Sequence, residues 1–153
     1  MFRHPLLALL GGLALAGAAR GAEPAPSRYD RVDVATTKTS VYIGSVTMTM
    51  PAFDRKDGVY EAPYAAKVFP FFFYNEKGRL FIDVSDDSLR KLERGEAMEF
   101  TGRGVRDDGV ERRVEGKATP VDATGGKIKV RVFVSKRIEL IFNTTYRFAP
   151  RPK

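Results

Sequence analysis

The sequence predicts an all-β, mainly antiparallel domain of about eight strands, closed as a small barrel or packed as a two-layer sandwich, with one short helix near 86–94. Three observations carry that expectation. From Thr39 onward apolar residues alternate with polar ones at a period of two, as half-buried strands require. Turn-forming residues separate the runs at short intervals, so neighbouring strands pair antiparallel. Only one segment carries the start and stop signals of a helix, which leaves nothing to cover a parallel sheet.

The elements follow in order. Residues 23–38, EPAPSRYDRVDVATTK, hold two prolines and four charges between Arg28 and Asp33. They read as a flexible segment ahead of the fold, with Val32 and Val34 forming at most a short edge strand. Residues 40–50, SVYIGSVTMTM, read as a strand with Tyr42, Val46, Met48 and Met50 on one face, ended by Pro51. Asp54, Asp57 and Gly58 mark a turn. VYEAPYAAKV and FPFFFYNE follow as strands, with a turn at 75–78, and then RLFIDV aligns Leu80, Ile82 and Val84.

The helix is well signed. Ser85 is a natural N-cap, Asp86 and Asp87 complement the positive helix end, and Val84 with Leu89 matches a hydrophobic staple. Arg90, Lys91 and Arg94 crowd the last turn, and Gly95 suits the left-handed position after it. Leu89 and Leu92 form a narrow apolar edge, so the helix is expected to lie across a sheet or plug the end of a barrel.

In the second half, EAMEFTGRGVR and VERRVEGKAT flank Asp107-Asp108-Gly109, a hairpin signal. TPVDATGG is a longer loop. KIKVRVFV aligns Ile128, Val130, Val132 and Val134, and after a tight Ser135-Lys136 connection RIELIFNTTYRF aligns Ile138, Leu140, Phe142, Thr144, Tyr146 and Phe148. The single domain is thus expected to span 39–149. Its order of strands, one helix and further strands resembles an oligonucleotide/oligosaccharide-binding barrel with two added strands, in element order alone.

Residues 1–22 read as a secretory signal peptide. Arg3 supplies the positive start, Leu6 to Ala19 is an uncharged run of 14 residues, and small residues follow as cleavage triplets. The run is shorter than the roughly 20 residues of a membrane span. There is no cysteine to carry a lipoprotein anchor. The expected product is periplasmic or secreted, with no transmembrane span in the mature chain. Without the leader, 24 lysines and arginines face 19 acids, a net charge of +5.

The leader also takes with it His4, the only histidine, and leaves a chain with no cysteine. Nucleophilic catalysis by a Ser/His or Cys/His pair is then excluded, as are zinc, copper or haem sites built on those ligands. No phosphate-binding loop or dinucleotide fingerprint occurs. No cofactor and no metal is expected. Carboxylates remain: Asp83, Asp86 and Asp87 could hold a hard cation, and Asp107 with Asp108 could pair as acid and base. Helix capping and a hairpin turn explain these acids more simply.

Two surfaces are candidates for binding. Residues 101–153 hold 13 basic against 6 acidic residues. Within them Arg113, Lys117, Lys129 and Arg131 project opposite the valines, either as a basic stripe or as a solvated face with cross-strand ion pairs. The stretch Phe69-Pro70-Phe71-Phe72-Phe73-Tyr74 is aromatic at five of six positions. As a strand it would be apolar on both faces. Burial of both faces is the simpler expectation, and an exposed patch through Phe69, Phe71, Phe73 and Tyr74 is the binding alternative. Tyr42, Tyr60 and Tyr64 are expected nearby. The functional expectation is an exported, non-catalytic β-domain, binding or structural in the cell envelope, whose partner is an envelope protein, a glycan or a lipid; export argues against nucleic acid. The alternative is a carboxylate-based hydrolase acting on a glycan, which needs two carboxylates roughly 5–10 Å apart in a cleft.

Overall fold

The computed structural model describes residues 27–150 and Pro152; the expected signal peptide at 1–22 lies outside them. Ten strand segments occur: β1 (Arg31–Val34), β2 (Thr37–Val41), β3 (Gly44–Thr49), β4 (Phe53–Lys56), β5 (Val59–Phe69), β6 (Glu76–Asp83), β7 (Met98–Arg106), β8 (Glu111–Pro120), β9 (Gly125–Phe133) and β10 (Glu139–Ala149). One helix, α1 (Asp86–Glu93), joins β6 to β7.

Ten segments make eight strands. β1 and β2 are halves of one bent strand, since the Ala35 amide between them continues the ladder by donating to Thr145 O at 3.1 Å. β3 and β4 are likewise halves that share β5 as partner. Each of the eight pairs antiparallel with its neighbour in sequence, and β1 pairs with β10 to close the ring. The fold is therefore a closed up-and-down barrel. Closure leaves no row of unpaired backbone groups, which an open sandwich would have to protect. The sequential pairing also differs from the Greek-key order of an oligonucleotide/oligosaccharide-binding barrel.

The alternation read from the sequence sets the two faces. Leu80, Val84, Ile128, Phe142 and Tyr146 are buried inside, while Glu111, Arg113, Lys117, Lys127, Lys129 and Arg131 are exposed outside. Large and small inward residues compensate one another. The Phe100 ring lies over its cross-strand partner Gly116, where an added Cβ would stand 2.2 Å from the ring. The Tyr64 ring occupies the space beside Gly78 and Gly104. Small residues on β6 to β8 thus let aromatic rings fit a narrow barrel.

α1 closes one end. Ser85 Oγ accepts from the Ser88 amide at 3.2 Å, and Arg55 Nη2 on β4 donates to Val84 O at 2.8 Å and Asp86 Oδ1 at 2.9 Å. The helix stops at Gly95 (φ +76°), whose amide donates to Leu92 O while Glu96 N reaches Lys91 O. Leu89 and Leu92 are buried, at about 2 kcal/mol each of hydrophobic stabilisation. At the same end a short 3-10 turn, Ser27–Tyr29, buries Tyr29 edge-on against Phe148 at 5.0 Å, and Arg28 pairs with Glu93 on the helix.

Four expectations are corrected. Part of the segment assigned to a flexible leader, 23–38, is barrel wall: β1 pairs with both β4 and β10, because Val32 opposes Phe53 and Phe148 inside. Residues 40–50 are not one strand, since the chain reverses at Tyr42–Ile43 and Gly44 can sit against the Phe69 carbonyl. The run 69–76 is not a strand of its own. β5 ends at Phe69, Phe72–Tyr74 form a 3-10 turn, and β6 starts at Glu76, inside the expected 75–78 turn. Ile138 lies in the β9–β10 turn, half exposed, and does not continue the inward row that begins at Leu140.

Candidate functional site

Inward side chains of every strand of the barrel meet in a central cavity of about 110 Å³. Val34 and Met50 line it on one side, Ile82, Phe100 and Val130 on the other, and Leu92 of α1 contributes from the helix end. One ordered water needs roughly 10–15 Å³ of such space, so the lumen has room for more than a single water. Three hydroxyls of the wall are spent on backbone carbonyls. Tyr60 Oη donates to Tyr29 O at 2.6 Å, Thr37 Oγ1 to Asn143 O at 3.0 Å and Thr144 Oγ1 to Ala35 O at 2.8 Å. Each of these three hydroxyls is turned into the wall and its carbon faces inward. Burial also pushes the Tyr146 hydroxyl up to about 12, so it stays neutral.

Beside this lumen, towards the other end, sits an ionic cluster set among the inward residues. Arg112 Nη2 lies 2.9 Å from Glu76 Oε1, Arg112 Nη1 donates to Val134 O at 3.0 Å, and Tyr64 Oη donates to Glu76 Oε2 at 2.6 Å. Burial would raise the Glu76 carboxyl, but the guanidinium and the phenol outweigh it and hold it below the ordinary glutamate value. The cluster ties β6 to β5 and β8, and to the Val134 carbonyl just past the end of β9.

The end opposite α1 is formed by four connections: Tyr42–Ile43, 70–75, 107–110 and 134–138. Here lie nine of the ten exposed large hydrophobic side chains among the described residues: Tyr42, Ile43, Phe69, Phe72, Phe73, Tyr74, Val110, Ile138 and, just below the rim, Ile141. Only Val121 is at the helix end. Phe69 and the three residues 72–74 are between 67% and 74% exposed, so the aromatic stretch forms a patch and is not core; Phe71 is the partly covered member, edge-on to Phe73 at 5.8 Å. Tyr42 joins it, because the Ser45–Phe69 pairing brings the two turns together. Tyr64 points inward and Tyr60 lies at the far end.

The basic stripe exists as a surface, but half of it is neutralised. Arg113 pairs with Glu115 at 3.4 Å and lies 4.1 Å over the Phe133 ring, and Arg131 pairs with Glu139 at 3.3 Å. Lys117 and Lys129 oppose each other directly and have no acidic partner. Of the acids proposed from sequence, three are bound as caps and turns: Asp86 to Arg55, Asp87 to Arg90, and Asp108 to Arg106 and the Val110 amide; Asp83 and Asp107 are exposed. A shallower groove between α1 and the barrel is lined by Asp57, Asp83 and Glu99 with Ser85 and Ser88. These three acids are exposed and make no side-chain hydrogen bond or ion pair, and no cluster among the described residues could hold a metal ion.

Sequence reasoning found the aromatic stretch and the inward rows. It missed the Tyr42–Ile43 tip and the Glu76–Arg112–Tyr64 cluster. Arg112 could have been found by its parity, since it shares a face with Val114 in a strand whose other charges fall on the opposite face or beyond. Comparison with protein-family models, with curated proteins and with solved structures finds no match to this chain.

Proposed function

We propose that the protein is an exported, non-catalytic binding module of the cell envelope that holds an apolar group in its barrel lumen. The observation that supports this reading is the lumen wall, lined by apolar side chains, with the Tyr60, Thr37 and Thr144 hydroxyls spent on backbone carbonyls. A barrel of eight strands is of the size that is either filled by its own side chains or holds one small ligand. An apolar cavity of about 150 Å³ stays dry and takes up benzene. A lumen of about 110 Å³ points to a ligand of similar scale, a short hydrocarbon segment or the end of an acyl chain.

The test is titration with 1-hexanol while the methyl resonances are followed by NMR. Saturable shifts at Ile82, Val114, Ile128 and Val130, lost in Ala118→Leu, are expected. Shifts confined to Ile43, Val110, Ile138 and Ile141, unchanged by that substitution, would remove the lumen reading.

The second reading, a carboxylate-based hydrolase acting on a glycan, rests on the groove beside α1. General acid–base work needs a carboxyl fixed by its neighbours, and Asp57, Asp83 and Glu99 are exposed and unbonded. Asp83→Asn and Glu99→Gln are expected to leave any glycan turnover by the preparation unchanged; a loss in either would favour the hydrolase.

A further inference from the structure

We propose that the end of the barrel opposite α1 docks on an anionic lipid bilayer, with the tips of its four turns entering the headgroup region. The distribution of side chains carries this. Exposed large hydrophobics are scattered singly on ordinary surfaces. Here nine of the ten among the described residues occupy one end of the barrel, spread over all four connections and not gathered in one groove. Several are aromatic, and amphipathic rings are favoured at the level of the lipid headgroups.

The charge of the rim fits the same surface. Lys136 and Arg137 stand exposed in the β9–β10 turn beside Ile138, and Lys67 and Lys77 flank the aromatic turn on β5 and β6. None of these four cations has an acidic partner among the described residues. The acids of this end are mostly paired. Asp108 is paired with Arg106, Glu76 with Arg112, Glu111 with Arg103 and Glu139 with Arg131, which leaves Asp107. Unpaired cations above an apolar tip match anionic headgroups above acyl chains. A second copy of the chain, met end to end, would instead bring two sets of these cations together.

The barrel itself stays outside the bilayer. Its outward residues include Glu99, Arg103, Glu115, Lys117, Lys127 and Lys129, with its apolar rows inside, the reverse of a membrane-spanning barrel. No helix among the described residues is long and apolar enough to cross a membrane.

The experiment is flotation of the purified full chain with vesicles of phosphatidylglycerol and phosphatidylcholine, against vesicles of phosphatidylcholine alone. Every variant keeps the same N-terminus, so a difference between them comes from the rim. Wild type is expected to float with the anionic vesicles. Phe72→Ser with Phe73→Ser is expected to lower binding at least tenfold, while Val121→Ser at the helix end has no effect. Lys136→Ala and Arg137→Ala should each weaken binding to anionic vesicles roughly fivefold and make no difference on neutral ones. All these side chains are exposed, and an unchanged melting temperature verifies that each variant is folded. Equal flotation of wild type and Phe72→Ser/Phe73→Ser overturns the proposal. So does a concentration-dependent dimer that the same double variant dissolves while wild type fails to float, which would assign the rim to a second copy. Neither result bears on hexanol uptake by the lumen, so the two readings fail separately.

Discussion

Glu76 and Gly116 are single positions on which the barrel interior depends in opposite ways, one through charge and one through space. The Glu76 carboxyl is held below its ordinary value by Arg112 and Tyr64 against the cost of burial. A depressed carboxylate contributes stability that is fully present above its unfolded value, about 4.3, and is lost as pH falls through the folded one. Chemical denaturation followed between about pH 7 and pH 3 should therefore show wild type losing stability on the acid side. Glu76→Gln should be less stable at neutral pH, where Arg112 is left half-buried without its acid, and flatter with pH. Asp108, brought down to about 2 by its bond to Arg106, contributes an acid limb of its own that Glu76→Gln leaves in place. At Gly116 no charge is involved. A side chain there meets the Phe100 ring, so Gly116→Val should cost about 1–3 kcal/mol by overpacking. Phe100→Leu in the same chain should recover part of the loss, because the smaller side chain vacates the space; additive losses in the double variant would refute the pairing.

At the scale of elements, α1 links local signals to the lumen, since its buried Leu92 forms part of the cavity wall. Ser85→Ala removes the cap bond to the Ser88 amide and should cost about 1 kcal/mol. Gly95→Val forces a β-branched residue to φ +76°, where L side chains lose roughly 1–2 kcal/mol. Hydrogen exchange should quicken at the amides of α1 in both variants while β7 to β10 stay protected; uniform quickening would mean that the helix does not open on its own. This element was legible almost to the residue, because cap, first-turn acids and terminal glycine are local chemistry. The inward rows of β9 and β10 were legible for a similar reason: Ile128 to Val132 and Leu140 to Phe148 repeat at a period of two. The aromatic stretch was not. A run with no polar residue has no period, so neither its turn nor its exposure could be read, and the simpler expectation of burial failed. Tyr42–Ile43 lacks the usual turn residues and was hidden inside a strand. That four separate turns share one end follows only from the closed up-and-down order.

On the scale of the whole molecule, the barrel carries an incompletely filled interior. Local pattern gives each inward residue but not the sum of their volumes against the space eight strands enclose. At about 24 cal/mol per Å³, a void of about 110 Å³ withholds at most about 3 kcal/mol of packing. A ligand that enters it, or a larger side chain grown into it, should recover part of that. Ala118 lies on the wall, opposite Met98 and Ile128 on the neighbouring strands. If the lumen is empty space, Ala118→Leu should raise the melting temperature in the absence of ligand, by roughly 3–5 °C for each kcal/mol gained. If the wall were already close-packed, the same substitution would cost about 1–3 kcal/mol and lower it. The two cases also differ in their response to 1-hexanol. A ligand at 100 times its dissociation constant stabilises the folded state by about 2.7 kcal/mol, so wild type should melt at a higher temperature with hexanol and the filled variant should not. A variant that melts higher on its own and has lost the ligand-dependent rise has had one cavity filled by the side chain in place of the ligand. A variant that melts lower and still responds to hexanol places the binding elsewhere.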